Sequence, residues 1–69
     1  MPTIREIRES QGLTQAELAN RAFVSARVIS EMENGKPVRK MTLARVCNAL
    51  GVPVSEVQGV RVLKRSRRA

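Results

Sequence analysis

Residues 26–34 carry five side chains, Ala26, Arg27, Ser30, Glu31 and Asn34, that make either a solvated surface or a head for reading the edges of base pairs. These groups recognise rather than react. An arginine fork can donate two parallel hydrogen bonds to guanine O6 and N7. A glutamate can accept from the cytosine amino group, and an alanine can touch the thymine methyl. Arg27 and Glu31 have a competing use as an i,i+4 ion pair, worth only about 0.2–0.5 kcal/mol and here in the less favourable order. Groups for catalysis are scarce. The chain has no histidine, no aspartate and one cysteine. It shows neither a phosphate-binding glycine loop nor a metal-ligand cluster, so no enzyme, metal or other cofactor is expected.

Recognition of this kind needs a helix with two faces. At about 100° per residue, Val28, Ile29 and Met32 fall on one apolar stripe. Arg27, Ser30, Glu31 and Asn34 fall opposite it, with Ala26 on the flank. Ser25 precedes this helix as an N-cap, and Gly35 follows its end. A helix over residues 26–34 is therefore expected.

The neighbouring elements follow from the same signals. Thr3 with Glu6 and Thr14 with Glu17 are capping-box patterns, which start helices expected over 4–11 and 15–22. Gly12 suits the stop of the first. Pro37 and Val38 read as an extended link. Leu43, Val46 and Leu50 set the apolar face of a helix over 40–50, which Gly51 closes. Pro53 suits the first turn of a short fifth helix over 54–58, ended by Gly59. Residues 60–63 read as one more half-buried segment, with a short strand as one option. No internal repeat or interdomain linker interrupts the chain.

The 69 residues hold 13 Lys and Arg against six acidic groups, all of them Glu, for a net charge of +7. Such a balance points to an anionic partner such as nucleic acid. The excess is uneven: residues 1–60 hold eight basic and six acidic side chains, whereas 61–69 hold five basic and none acidic. With one Phe and no Tyr or Trp, the core must be aliphatic. Cys47 lies in a helical apolar pattern and reads as a small buried hydrophobe. As the only cysteine it has no partner within the chain. There is no apolar run long enough for a membrane span and no signal peptide, so a cytoplasmic protein is expected.

Two helices joined by a short turn form a helix-turn-helix unit, whose second helix can enter the DNA major groove. The stretch "LTQAELANRAFVSARVISEMENGK", residues 13–36, resembles the lambda-repressor-like helix-turn-helix family of phage repressors, Cro proteins and bacterial regulators. The matching pieces are Leu13-Thr14-Gln15, Glu17-Leu18-Ala19, Val24-Ser25, Ile29-Ser30 and Glu33-Asn34-Gly35-Lys36. "TLARVCNALGVPVSEV", residues 42–57, resembles the family's fourth and fifth helices. The resemblance implies an all-α, five-helix DNA-binding domain over 1–59, followed by an extension over 60–69. It implies that Ala26, Arg27, Ser30 and Glu31 face base edges. It implies DNA-backbone contacts for Thr14, Gln15, Ser25, Asn34, Lys36, Arg39 and Lys40. Gln15 is expected both to bind a phosphate and to brace the recognition helix.

Two departures from the family pattern stand out. Phe23 occupies a turn position where the family usually has Gly, because the backbone there takes a positive φ. Either the turn relaxes or bears the strain, with Phe23 against neighbours such as Ala22 or simply on the surface, or Phe23 is an exposed anchor for another protein. The stretch from Gly35 to Leu50 is slightly short, with Pro37-Val38 in place of the family's usual polar turn.

Family members usually bind as twofold dimers to two half-sites. Val52, Val54, Val57, Val60, Val62 and Leu63 offer apolar surface for a homodimer, or else complete the monomer core. The tail Lys64-Arg65-Ser66-Arg67-Arg68 could run along phosphates, enter a minor groove or merely solubilise. The reading is a sequence-specific transcriptional regulator of double-stranded DNA, a repressor at a palindromic operator. The alternatives are a protein-partner module, such as an antitoxin that also binds its own operator, and a non-specific nucleic-acid binder. Control by abundance, proteolysis or a protein partner is expected ahead of a small-molecule inducer.

Overall fold

Four helices form, three of them started by a side-chain cap and the fourth, after Arg39, without one. In the computed structural model, which describes residues 2–63, they are α1 (Ile4–Ser10), α2 (Gln15–Ala22), α3 (Ala26–Glu33) and α4 (Lys40–Leu50). Thr3 and Thr14 accept from the backbone N–H groups of Glu6 and Glu17, whose carboxylates reach back to the cap N–H groups. Both capping boxes are thus complete. Ser25 Oγ accepts from the Val28 N–H at 3.2 Å. The ends of α1 and α3 fall one residue short of expectation, because Gln11 and Asn34 already leave helical geometry.

The fifth helix is the clearer correction. Residues 54–58 form only one 3-10 turn, Val54–Glu56. Val57 is already extended, and the Gln58 N–H donates to the Pro2 carbonyl at 3.1 Å instead of to a helical carbonyl. Proline stands before the turn as its cap rather than inside it. The segment after it makes single parallel bridges, Thr3 with Gln58 and Val38 with Val62. Val38 N–H donates to the Arg61 carbonyl, and Leu63 N–H donates to the Val38 carbonyl. Residues 61–63 are thereby tied to the link before α4. The basic tail expected beyond them lies outside the described residues.

The core is aliphatic, as the composition requires. α2 packs against both α3 and α4, and α1 touches α3 and α4. Ile4, Leu18, Ile29, Met32, Val46 and Cys47 are the largest fully buried side chains. Burial pushes the Cys47 thiol pKa up, which suits an unreactive packing residue. Val52, Val57 and Val60 lean on this core, whereas Val54, Val62 and Leu63 stay largely exposed.

Two helices stop in the same way with different residues. After α4, Gly51 adopts left-handed geometry (φ 76°, ψ 26°), and Val52 N–H donates to the Cys47 carbonyl. After α2, Phe23 adopts it (φ 60°, ψ 41°), and Val24 N–H donates to the Ala19 carbonyl. The hydrogen-bond pattern is the one that favours glycine at the left-handed position. A side chain there costs roughly 1–2 kcal/mol. The turn has therefore not relaxed around Phe23, and the side chain does not pack down for shelter: it is 84% exposed.

Candidate nucleic-acid interface

α3 turns two faces to two environments. Ile29 and Met32 are buried, while Ala26 and Arg27 are exposed and Ser30 and Glu31 are half-buried. The four residues expected at base edges thus share the outward face. Arg27 Nε donates to Glu31 Oε2 at 3.2 Å. This is the ion pair that competed with base contact in the sequence, and it uses only one edge of the guanidinium. Both terminal nitrogens of Arg27 make no hydrogen bond among the described residues.

The residues expected on the DNA backbone are spread around this face. Thr14 and Ser25 are the caps of α2 and α3, and both are exposed. Each uses an oxygen lone pair to cap its helix, so its hydroxyl hydrogen remains free to donate. Asn34 ends α3 and is exposed. Lys36 follows, held to α3 by its own N–H donating to the Glu31 carbonyl at 2.9 Å. Arg39 and Lys40 start α4, exposed and without an acidic partner among the described residues. No hydrogen bond or ion pair among the described residues joins their side chains to α3.

Gln15 links α2 to α3 by a hydrogen bond. Its Nε2 donates to Glu33 Oε1 at 3.0 Å, from the first residue of α2 to the last of α3. The same Nε2 carries a second hydrogen for another acceptor.

Glu33 is the centre of a network that includes Arg8, a residue the sequence reading did not single out. Arg8 Nε and Nη2 donate to the two Glu33 oxygens at 2.6 and 3.1 Å, and Nη1 donates to the Leu13 carbonyl at 2.7 Å. The side chains are only 10% and 4% exposed. The hydrogen bond to Glu33 raises the Arg8 pKa against the opposing effect of burial. Burial pushes the Glu33 carboxyl up, but the hydrogen bonds from Arg8 and Gln15 outweigh it and hold the carboxyl below its ordinary value. Both groups are charged, and no buried side-chain polar atom among the described residues lacks a partner. The network fixes the far end of α3 to α1, to the α1–α2 loop and to α2.

A two-faced second helix, capped at Ser25 and clamped at Glu33, is the arrangement of a helix-turn-helix reading unit. The helix-turn-helix family model matches residues 4–57. The chain belongs to the lambda-repressor-like helix-turn-helix family. No curated protein matches it. A lambda-repressor-like helix-turn-helix domain is a DNA-binding regulatory domain, and the anionic partner implied by the charge balance is DNA. The described part of this family member has four α-helices and a 3-10 turn. No helix among the described residues is long and apolar enough to cross a membrane. Neither do those residues hold a group of three or more side chains able to bind a metal.

Proposed function

We propose that this regulator is a sequence-specific repressor that binds a palindromic operator as a homodimer, with α3 of each copy in the major groove. The observation that carries the reading is the division of α3. Its inner side is fixed by Ile29, Met32 and the buried Glu33 network, while Ala26, Arg27, Ser30 and Glu31 point out together. A fixed helix can hold its side chains in register with base edges.

Arg27 is the principal reader in this proposal. Glu31 occupies its Nε, so the two terminal nitrogens donate to O6 and N7 of a guanine. Ala26 and Ser30 flank it. Thr14, Gln15, Ser25, Asn34, Lys36, Arg39 and Lys40 contact phosphates and set the register. The exposed apolar side chains of Val54, Val62 and Leu63 support dimerisation through the segment after α4. Residues 60–69 form the extension, and its basic tail adds phosphate contacts. Ending the chain after Leu63 should weaken binding alike on all duplexes and flatten its dependence on salt. A loss of sequence preference at unchanged salt slope would count against that role of the tail.

The deciding experiment selects bound duplexes from a random pool, with Arg27→Ala alongside. A palindromic consensus that relaxes at one symmetric guanine in the variant is the expected result. An asymmetric consensus would sink the dimer, and no enrichment at all would leave a non-specific binder.

A further inference from the structure

We propose that the hollow between the end of α2 and the outer side of α4 docks a short acidic segment of a protein partner, with an apolar side chain lying against Phe23. The hollow is open, holds about 300 Å³ and is lined by Arg21, Ala22, Phe23, Arg45, Asn48 and Ala49. That volume stands at the lower end of the range for ligand pockets.

Two independent observations point to an occupant. The first is Phe23 itself. Left-handed backbone is retained there with a bulky residue, although Gly51 completes the same type of stop at α4 without strain. Phe23 gives the chain nothing in return by packing, since its ring stands in solvent. Strained residues that their surroundings hold in place cluster at binding and switch sites. The second observation is charge. The side chains of Arg21 and Arg45 make no ion pair or hydrogen bond among the described residues; the same holds for Lys36, Arg39 and Lys40, but Arg21 and Arg45 line one hollow together.

The chemistry of the hollow selects the partner. Two guanidinium groups call for carboxylates, and the Asn48 amide can pair with an extended backbone. The Phe23 ring and the half-buried Ala49 call for an apolar side chain between them. DNA phosphates would satisfy the arginines but leave Phe23 unused, which favours a protein segment. The lining comes from α2, its cap and α4, with nothing from α3. The surface is therefore separate from the reading face, and a partner seated there can be carried to the operator with the bound regulator.

The test selects short random peptides displayed against the whole chain, then measures the enriched peptides on Phe23→Gly and Arg45→Glu. Phe23→Gly relieves strain, so its melting temperature should rise and a lost interaction cannot be blamed on unfolding. The expected peptides are acidic with one large apolar residue, and both variants weaken them by about tenfold or more. Duplex binding stays unchanged in Phe23→Gly. The proposal is overturned by no enrichment, by peptides that are basic or indifferent to both variants, or by Arg45→Glu weakening duplexes as much as peptides. The last outcome would place these arginines on phosphates. A Phe23→Gly protein no more stable than the original would remove the strain argument as well. None of these outcomes depends on which duplex the regulator prefers.

Discussion

Two arginine–glutamate pairs use α3, one on each side of it, and they differ in almost everything but composition. Arg8 and Glu33 meet through two hydrogen bonds with side chains only 10% and 4% exposed. Arg27 and Glu31 meet through one, with side chains 85% and 38% exposed. Water competes weakly for the first pair and strongly for the second. The buried pair is worth much to the folded state once both partners are present, because a lone charge there has nowhere to go. The exposed pair is worth little, and this is what makes it usable: Arg27 can turn to another acceptor at almost no cost. On this reading, one pair holds the helix and the other is spent on what the helix meets.

Breaking the buried pair should give the largest effect. Arg8→Met leaves Glu33 with Gln15 alone, and losing one partner of a buried pair costs about 3–5 kcal/mol. A core of this size supplies a similar amount, roughly 3–5 kcal/mol, so the variant should be largely unfolded at room temperature by urea titration. Arg8→Met with Glu33→Leu should recover much of the loss, since apolar replacements of both partners are often near neutral. A loss under about 1 kcal/mol in the single variant would mean that water or Gln15 already satisfies Glu33. The pair also predicts a pH dependence. The folded Glu33 carboxyl lies below its unfolded value, so its contribution is complete above the ordinary glutamate value of 4.5 and is lost as pH falls through the folded one. The double variant should lack that part of the acid sensitivity.

The buried pair was missed in the sequence, although a mismatch marks it. Arg8 stands one turn after Ile4 and beside Ile7, on the apolar side of α1. Glu33 stands one turn after Ile29, at the edge of the apolar stripe of α3. A charge of each sign on two inward stripes predicts that they meet. The helices themselves were readable because their signals are local: Thr3, Thr14 and Ser25 act within three residues, and the bounds of α2 and α4 fall where expected. The fifth helix failed because its end is decided from far along the chain, where Pro2 takes the Gln58 N–H. The backbone at Phe23 was in doubt for the opposite reason. The residue argues against left-handed geometry, yet the packing of α2 on α3 and α4 requires a stop there, and the stop prevails.

The exposed pair should show its importance only on DNA. Arg27→Ala removes no buried contact and should leave the urea midpoint essentially unchanged. On duplexes it should remove about 1–3 kcal/mol of discrimination at one base pair of each half-site, the range of a good bidentate contact. Arg8→Met combined with Glu33→Leu should do the reverse, keeping the consensus if α3 stays in place. An Arg27→Ala protein that binds all duplexes equally more weakly would assign Arg27 to a phosphate.

Glu31→Gln gives the smallest change and separates two uses of the same carboxylate. In the free protein it removes an i,i+4 pair worth about 0.2–0.5 kcal/mol, near the limit of what unfolding curves resolve. Glu31 accepts from Arg27 Nε, and if that bond persists on DNA, it aims the terminal nitrogens at the guanine. Glutamine keeps an oxygen at the same place, so Glu31→Gln should retain the guanine preference while Glu31→Ala blunts it. If Glu31 instead accepts from a cytosine amino group, both variants shift the preference at a neighbouring base pair and leave the guanine position alone. Comparing the selected sequences of the two variants, position by position, distinguishes an aligner of Arg27 from a reader in its own right. It also decides whether the weaker pair on α3 is one recognition unit or two.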